Sequence, residues 1–235
     1  MAKVIANPRK TNMLNQASSL ITDFGVTKFK FTEVAKRAHC SYATLYDEFP
    51  SKEELIAEIS IKNISASLLA IKYIDGSTEL DPIDKLICLY YSDLVRTHHF
   101  PEELIWLNFI VNQTSFLENI SDFQERALSM QFQELREFFI STWKVCLSGS
   151  SDVTSDDIIL QKHKKLSALQ RGIILLSSNG RVKRNGLHFS DQDSFTFIVD
   201  EIINSCHLKK NKIKTQEQYT QIILDIQNEV AKQFS

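Results

Sequence analysis

The spacing of apolar residues is the most regular feature of this chain. Apolar side chains recur at intervals of three, four or seven residues, which is the repeat of one face of an α-helix. Between residues 156 and 177, for example, Ile159, Leu166 and Ile173 lie seven apart. Such rows suit a helix that packs along its length against a neighbour. The pattern predicts an all-α fold.

Boundary residues divide this pattern into helices. Gly25 is placed to end the first helix, because glycine accepts the backbone conformation found at helix C-termini. Asp81 and Pro82 open another, as a cap and a first helical residue. Polar loops are predicted at 148–155 and 178–192. The longer predicted helices are 11–24, 52–74, 82–97, 102–113, 121–147, 156–177, 193–206 and 215–234.

Residues 31–40 predict a short helix followed by a tight turn. Thr32 is the predicted N-cap, because its hydroxyl can accept a hydrogen bond from an unpaired N–H of the first turn. Ala35 lies on the inner side of this helix, where a small residue lets a second helix cross closely. The turn follows at His39 and Cys40.

A second short helix and the start of a third follow this turn. Ser41 is the predicted N-cap, and Leu45 and Phe49, one helical turn apart, form the inner face. Pro50 ends the helix, because a residue that precedes proline avoids the α region. The sequence Ser-Lys-Glu-Glu at 51–54 predicts a capping box that starts the next helix.

Two short helices joined by a turn of three or four residues form a helix-turn-helix. This unit presents its second helix to the major groove of DNA. The alternative is an αα-hairpin in some other helical protein, because caps and small residues fit both structures. The pattern by itself leaves both interpretations open.

The same stretch resembles the N-terminal domain of TetR-family transcriptional repressors. In that family a helix of the type EIAKRAGVS precedes a recognition helix that ends in TLYRHF, and PSKEEL opens the next helix. This chain has EVAKRA at 33–38, TLY at 44–46 and FPSKEEL at 49–55. The specific resemblance covers roughly residues 10–60, whereas the remainder is similar in length and helical character.

The resemblance implies two regions and a homodimer. Residues 1–62 are expected to form the DNA-binding domain, and residues 63–235 a larger helical bundle for effector binding and dimerisation. In the family the last long helices of the body pair with their copies in a second subunit, which implies contacts through 156–177 and 193–206. The alternative is that both stripes face the core of their own chain. Two recognition helices about 34–36 Å apart can read adjacent turns of the major groove, which favours a dimer.

The chain departs from the family's pattern in two places, at the turn and at the end of the recognition helix. His39 stands where the family usually has glycine, and histidine is among the residues that tolerate a positive φ. Asp47 and Glu48 replace the usual basic or aromatic-histidine pair at the end of the recognition helix. Carboxylates there would repel phosphates and lie at the negative end of the helix dipole. They either weaken DNA binding or point away from the duplex.

The resemblance and the motif together assign the DNA contacts. Residues at the start of a recognition helix face base edges, where Thr44 offers a hydroxyl and Tyr42 offers a phenol and a ring for a thymine methyl group. Tyr46 and Lys52 match the family's phosphate contacts by position, although Tyr46 could instead be a core ring. The residues expected to contact DNA are Ser41, Tyr42, Ala43, Thr44, Tyr46, Lys52 and Thr32.

Aromatic residues are abundant after residue 89, and they predict an apolar cavity in the body of the protein. In the family an effector in such a cavity shifts the linking helix and spoils the spacing of the recognition helices. The alternative is that these rings are ordinary core and that His98 is exposed. The residues expected to line the cavity are Tyr90, His98, Trp106, Phe109, Phe139 and Trp143.

Basic segments elsewhere admit either nucleic-acid contact or simple solvation. Residues 1–10, with three basic residues, predict a flexible arm, and a solvated terminus is favoured over contact with the minor groove. The basic pieces at 162–165 and 209–214 are each interpreted as a solvated helix face.

Composition narrows the class of protein. The chain carries 27 basic and 29 acidic residues, and its four cysteines lie far apart, which favours reduced thiols in the cytoplasm over disulfides or a zinc site. No targeting signal and no apolar run of membrane-spanning length is visible. No metal-binding, phosphate-loop or nucleophile motif appears, so neither a cofactor nor catalysis is expected.

The sequence therefore predicts a homodimeric, ligand-responsive repressor in the cytoplasm. It would bind palindromic double-stranded operator DNA and be released by a small apolar effector. The alternative is an interaction protein on the same scaffold with weakened or lost DNA binding, which Asp47 and Glu48 motivate. A third interpretation, an all-helical enzyme, is supported by no catalytic set of residues in the sequence.

Overall fold

The structure is a computed structural model that describes residues 7–148, 155–179, 182, 184–207 and 213–234. Within these residues the secondary structure is helical, as the sequence predicts, and a 3₁₀ turn at Pro101–Glu103 follows the fifth helix. The α-helices are α1 (Pro8–Phe24), α2 (Phe31–Arg37), α3 (Tyr42–Glu48), α4 (Lys52–Gly76), α5 (Pro82–His99), α6 (Leu107–Ile110), α7 (Thr114–Leu117), α8 (Asp122–Leu147), α9 (Asp156–Ser177), α10 (Asp191–Cys206) and α11 (Gln216–Phe234).

Helices α1 to α3 enclose a small apolar core, which the start of α4 closes. Gly25 ends α1 with a φ of 81° and donates its N–H to the Ile21 carbonyl oxygen, as predicted. Phe29, in the loop before α2, is buried in the same core. The other side chains of α1 to α3 buried here are Met13, Leu14, Ala17, Leu20, Ile21, Val34, Ala35 and Leu45.

The start of the chain differs from its prediction. Helix α1 begins at Pro8 and not at residue 11, because the Asn7 side chain accepts hydrogen bonds from the N–H groups of Arg9 and Lys10. Arg9 and Lys10 therefore belong to a helix and not to a flexible arm. The Lys10 ammonium also forms an ion pair with Glu58 at 2.8 Å. The rest of the predicted arm, residues 1–6, lies outside the described residues.

One predicted helix cap is wrong, and a predicted capping box forms only in part. Helix α2 begins at Phe31 with Lys30 at the N-cap position and no side-chain capping bond, so Thr32 lies inside the helix and caps nothing. Ser51 does cap α4 by accepting the Glu54 N–H at 3.0 Å. The Glu54 carboxylate, however, does not complete the box, because it accepts the N–H of Ser121 at the start of α8.

Helix α4 connects the N-terminal helices to the body. It runs unbroken from Lys52 to Gly76, so the proposed boundary between residues 62 and 63 falls inside it, and the division into two regions stays a prediction. Near its end the buried residues are Ile71 and Ile74, whereas Tyr73 between them is 37% exposed.

The predicted helix at 102–113 is wrong. Its residues form the 3₁₀ turn, a link and the short helix α6, because Leu104 takes a left-handed φ of 55° that an α-helix cannot contain. Leu104 is nonetheless buried, and together with Leu107, Val111 and Leu128 it completes the core beneath α1 to α4. The body therefore supplies part of the hydrophobic core of the N-terminal helices.

The core of the body is built around α5. This helix packs against α4, α8, α9, α10 and α11, and its residues Leu86 to Tyr91 are all buried. Its N-terminus carries the predicted cap, which is a full capping box between Asp81 and Asp84. The Tyr219 hydroxyl of α11 donates to the Asp84 carboxylate at 2.6 Å, and Lys214 pairs with the same carboxylate.

Helices α9 and α10 form an antiparallel pair. Lys162 donates to the Ser205 carbonyl oxygen at 2.8 Å and Lys165 pairs with Glu201 at 2.9 Å, so the residue numbers of contacting positions rise on one helix as they fall on the other. Helix α10 begins two residues before its predicted start, because Ser190 and Asp193 form a capping box there.

Two classes of feature are missing from the part of the chain that the structure describes. None of its helices combines the length and the apolar character that crossing a bilayer requires. No cluster of three or more histidine, cysteine or acidic side chains is arranged there to hold a metal ion.

Candidate nucleic-acid interface

A tight turn between α2 and α3 sets the angle of the candidate recognition helix. His39 has a φ of 53°, so it adopts the left-handed conformation that the family's glycine would occupy. The N–H of Cys40 bonds to the Ala35 carbonyl oxygen at 3.0 Å, and the N–H of Ala38 bonds to that of Val34 at 2.8 Å. These bonds satisfy the end of α2 and turn the chain towards α3.

Helix α3 is fixed at its start by a cap and along one side by the core. The Ser41 hydroxyl accepts the Thr44 N–H at 3.0 Å, as predicted. Leu45 and Phe49, the predicted inner face, are 0% and 1% exposed. Truncating either side chain to alanine would cost about 2–5 kcal/mol, because a cavity would be left in a close-packed core. The outer face of α3 is therefore presented rigidly to solvent.

The outer face of α3 and its cap present four of the residues that the sequence assigned to DNA, together with Asp47. Ser41, Tyr42, Ala43, Tyr46 and Asp47 are exposed. The rings of Tyr42 and Tyr46 are each 48% exposed, which is unusual for such large side chains. Tyr46 is not a core ring, although its ring meets the edge of Phe31 at a centroid distance of 5.1 Å.

Several cations near α3 are already occupied. The Lys52 ammonium donates to the Phe29 carbonyl oxygen at 3.1 Å and lies 4.1 Å from the centroid of the Phe29 ring. Burial lowers the pKa of Lys52. Arg37 bonds to Asp23 at 3.1 Å and to the Ser19 hydroxyl at the same distance. A phosphate contact by Lys52 stays a prediction, and in this structure its ammonium holds the loop before α2.

The two carboxylates at the end of α3 have different surroundings. The Glu48 carboxylate accepts a hydrogen bond from the Asn7 side chain at 3.3 Å. Asn7 caps α1, so Glu48 lies near the positive end of the α1 dipole, which favours a negative charge. Asp47 is exposed on the outer face. Asp47 is therefore the more exposed of the two residues.

Thr32 and Thr44 differ in their availability. Thr32 is exposed in the first turn of α2. Thr44 is half-buried, and its hydroxyl lies 2.8 Å from that of Ser41, so the two hydroxyls satisfy each other. Contacts of either residue with DNA remain predictions.

Three of the six residues of the predicted effector cavity form a packed cluster in the body. Tyr90 and Trp143 are buried, and the Tyr90 ring lies 4.6 Å from that of Phe139. The indole N–H of Trp143 donates to the Tyr90 hydroxyl at 2.9 Å, and this hydroxyl lies 2.7 Å from Nδ1 of His163. Phe109 packs against the same core of the body, and the guanidinium of Arg171 lies 5.4 Å from the centroid of its ring.

His163 is a half-buried polar residue that the sequence did not single out. The Tyr90 hydroxyl, which accepts from Trp143, lies within hydrogen-bond distance of Nδ1 of His163, and the tautomer of the imidazole decides which of these two atoms donates. Burial lowers the pKa of His163 to about 4, with Arg171 and Arg136 adding to the shift. Its position between Ile159 and Leu166, one turn from each, was a signal that the side chain faces inward.

The other two predicted cavity residues line a real cavity of about 790 Å³. His98 and Trp106 form part of its body side, and Ile21 and Thr27 belong to its N-terminal side. Among the described residues, no lysine, arginine, aspartate or glutamate lines it. The remaining lining residues are Thr22, Gly25, Val26, Thr97, Phe100, Pro101, Leu104, Ile105, Ser177, Ser178 and Asn179.

The helix-turn-helix region matches a known family. Residues 13–59 match the family model described as bacterial regulatory proteins, tetR family. This match includes α2, the turn and α3, and it ends within α4. No curated protein shows a significant match to the chain.

Solved structures match nearly the whole fold. AmtR from Mycobacterium smegmatis is 12% identical, with 92% of each chain covered and a TM-score of 0.59. PfmR, a TetR family transcriptional regulator from Thermus thermophilus, is 14% identical, with 84% of this chain and 95% of that chain covered and a TM-score of 0.60. AibR, solved with isovaleryl coenzyme A and operator DNA, is 14% identical, with coverages of 81% and 96% and a TM-score of 0.61. At such low identity the likeness shows the fold.

Proposed function

We propose that this chain, whose helix-turn-helix region matches the TetR family of bacterial regulatory proteins, is a homodimeric cytoplasmic repressor whose binding to operator DNA responds to a small molecule. The observation that carries the proposal is the geometry of α3. Its inner face is locked in the core, its start is capped, and two half-exposed tyrosines project from its outer face.

DNA contact would involve α3 and the basic residues around it. Ser41 to Tyr46 would enter the major groove, while Tyr46 and the exposed side chains of Lys28, Lys30 and Lys36 would meet phosphates. Lys52 would have to release its carbonyl partners to reach a phosphate. Thr32, exposed at the start of α2, is a further candidate contact.

A homodimer would form through the outer surface of α9 and α10. Leu175, Leu176 and Phe197 are 43%, 41% and 47% exposed there. A second copy that covers these three large apolar side chains would remove their surface from water, which would stabilise the dimer. The twofold axis of such a dimer would place two copies of α3 on one duplex, which fits a palindromic operator.

The effector site is proposed at the cavity lined by His98 and Trp106. This cavity lies between α1 and the body, so a ligand in it would bear directly on the position of α1 to α3. AibR has been solved with a coenzyme A thioester and operator DNA, an instance of a related fold holding both kinds of partner. The described lining of the cavity here lacks a cation to bind coenzyme A phosphates, which favours an uncharged, largely apolar effector.

The test is DNA binding by a protein altered only on the outer face of α3. Purified protein would be titrated with its own promoter region at several salt concentrations. Wild type is expected to bind with an affinity that falls steeply as salt rises. Ala43→Glu would abolish this binding, because it adds a carboxylate to the exposed face of α3. Ser129→Glu, at an exposed position of α8, would leave the binding unchanged. Absence of wild-type binding at low salt, with and without cell extract, would refute the proposal.

A second candidate is an interaction protein that has lost DNA binding on this scaffold. The exposed Asp47 carboxylate is the observation that favours it. Under this alternative, the double replacement Asp47→Arg with Glu48→His would create salt-dependent DNA affinity where wild type has none. Steep salt-dependent binding by the wild type would eliminate the alternative.

A further inference from the structure

The base chemistry of the operator follows from the outer face of α3. We propose that α3 reads its half-site through the C5-methyl groups of thymine, contacted by the ring of Tyr42 and the methyl group of Ala43, and not through guanine. This inference rests on the DNA-binding function proposed above. It adds the kind of base that the helix recognises.

The first step is an inventory of the side chains that α3 offers. Guanine is read in the major groove by arginine or lysine, and adenine by asparagine or glutamine. Helix α3 has the sequence Tyr-Ala-Thr-Leu-Tyr-Asp-Glu after its cap Ser41, so it contains none of these four residue types. The two commonest modes of direct base recognition are therefore closed to it.

The hydroxyl groups at the start of α3 are mostly occupied. The hydroxyls of Ser41 and Thr44 lie 2.8 Å apart, and that of Ser41 also accepts the Thr44 N–H at 3.0 Å. A base edge would have to compete with these bonds. Besides the phenol hydroxyl of Tyr42, what remains at the start of the helix is the apolar surface of Tyr42 and Ala43, both of which are exposed. The thymine methyl group is the apolar feature that bases present in the major groove.

Neighbouring cations are not positioned to substitute for a base-reading residue. Arg37 is held by Asp23 and Ser19, and Lys52 by the Phe29 carbonyl oxygen. Lys36 is exposed, but it lies at the end of α2, the helix that crosses the backbone in this motif. None of these three cations is therefore placed to read a base edge.

Asp47 adds an element that acts against guanine. It lies four residues after Ala43, so the two share a face of α3. Its carboxylate would repel the O6 and N7 acceptors of guanine and would accept from the amino group of cytosine or adenine. The face as a whole favours thymine methyl groups flanked by bases that present amino groups.

The experiment is a selection followed by removal of methyl groups. Full-length protein would enrich binding sites from a random duplex library, and each thymine of the enriched site would then be replaced by deoxyuridine. This change removes the methyl group and leaves base pairing intact. Each contacted methyl group is expected to contribute about fourfold in affinity, and one in each half-site about fifteenfold together. Replacement of thymines outside the half-sites is the control.

Variants identify the side chains involved. Ala43→Gly and Tyr42→Ser should bring the ratio of thymine to uracil affinity close to one at the contacted positions. Tyr42→Phe should keep this ratio, because the ring remains. For each variant, the affinity for the thymine duplex is divided by the affinity for the uracil duplex. A change in the folding stability of that variant affects both affinities equally and cancels in the ratio. A matched change one turn along, Tyr46→Phe, should leave the ratio unchanged.

The outcomes separate this inference from the function beneath it. An enriched site that binds equally well with uracil, or one whose half-site core is guanine without a contacted thymine, overturns the inference and leaves DNA binding intact. If no sequence is enriched and no salt-dependent binding is seen, the proposed function itself fails.

Discussion

The Glu54 carboxylate accepts the backbone N–H of Ser121 at 2.6 Å and thereby joins two helix N-termini 67 positions apart in the chain. Glu54 lies in the first turn of α4, and Ser121 is the N-cap of α8. A negative charge is favoured at both ends by the helix dipoles. Gln124 reinforces the junction by donating to the Glu54 carbonyl oxygen at 3.0 Å. The link fastens the DNA-binding helices to the body.

Removing this carboxylate should loosen the junction. Glu54→Ala is expected to lower the free energy of unfolding by about 1 kcal/mol more than Glu53→Ala, because it loses a charged hydrogen bond in addition to a favourable dipole interaction. Glu53 lies in the same first turn and serves as the control. Urea denaturation of the two variants measures the difference. Equal loss in both would show that the bond to Ser121 contributes nothing.

A second prediction concerns the buried carboxylate of Asp84. Tyr219→Phe removes the hydroxyl that donates to it at 2.6 Å and should cost about 1–3 kcal/mol, because a buried charge then lacks one partner. Tyr73→Phe is the control, since its hydroxyl bonds to Gln233 at an exposed position. Chemical denaturation compares them. A loss no larger than that of the control would contradict the structural role of this bond.

Stability should also depend on pH through His163. Burial lowers the pKa of its folded-state imidazole to about 4, whereas an unfolded chain would have a value of about 6.5. Between these values the unfolded chain binds a proton that the folded protein does not. The contribution of His163 is therefore complete above about pH 6.5 and is lost as the pH falls towards 4.

The measurement is the free energy of unfolding in urea at about pH 5 and about pH 7. Wild type should lose stability on acidification, and His163→Gln should lose less, because its side chain does not titrate. The difference between the two proteins removes the effect of the other histidines. An identical pH dependence would show that His163 accepts a proton in the folded state.

Dimerisation should depend on the outer surface of α9 and α10. Phe197→Glu places a charge on this surface, where the rings of Phe197 and Phe189 lie 5.6 Å apart, and it should convert the protein to monomers. Met130→Glu is the control, because Met130 is 72% exposed on α8. Sedimentation velocity distinguishes the two. A dimer that survives Phe197→Glu would place the interface elsewhere.

Local signals in the sequence were sufficient for the helix-turn-helix. The cap at Ser41, the inner face of Leu45 and Phe49 and the positive φ at His39 depend on neighbouring residues, and the structure has each of them. The cap at Thr32 failed because α2 begins at Phe31, two residues earlier than a cap at Thr32 requires, which moves the hydroxyl away from the capping position.

Contacts between distant residues were not predictable from these signals. The stretch 102–113 has the apolar density of a helix, but burial of Leu104 beneath α1 to α4 imposes a backbone that a helix cannot adopt. Glu54 has the spacing of a capping box, but its carboxylate accepts the N–H of Ser121 instead of the N–H of its own N-cap. The apolar cavity was expected among Tyr90, Phe139 and Trp143, whose rings instead pack against one another. In each case tertiary packing outweighed local preference.

The account as a whole depends on α3 acting as one of a twofold-related pair on DNA. Hydroxyl-radical footprinting of the wild-type protein on its enriched duplex tests this most directly. The account predicts two equivalent protected patches on one face of the duplex, with centres about 34–36 Å apart, and the loss of both in Ala43→Glu. A single patch, or two patches that Ala43→Glu leaves in place, would contradict it.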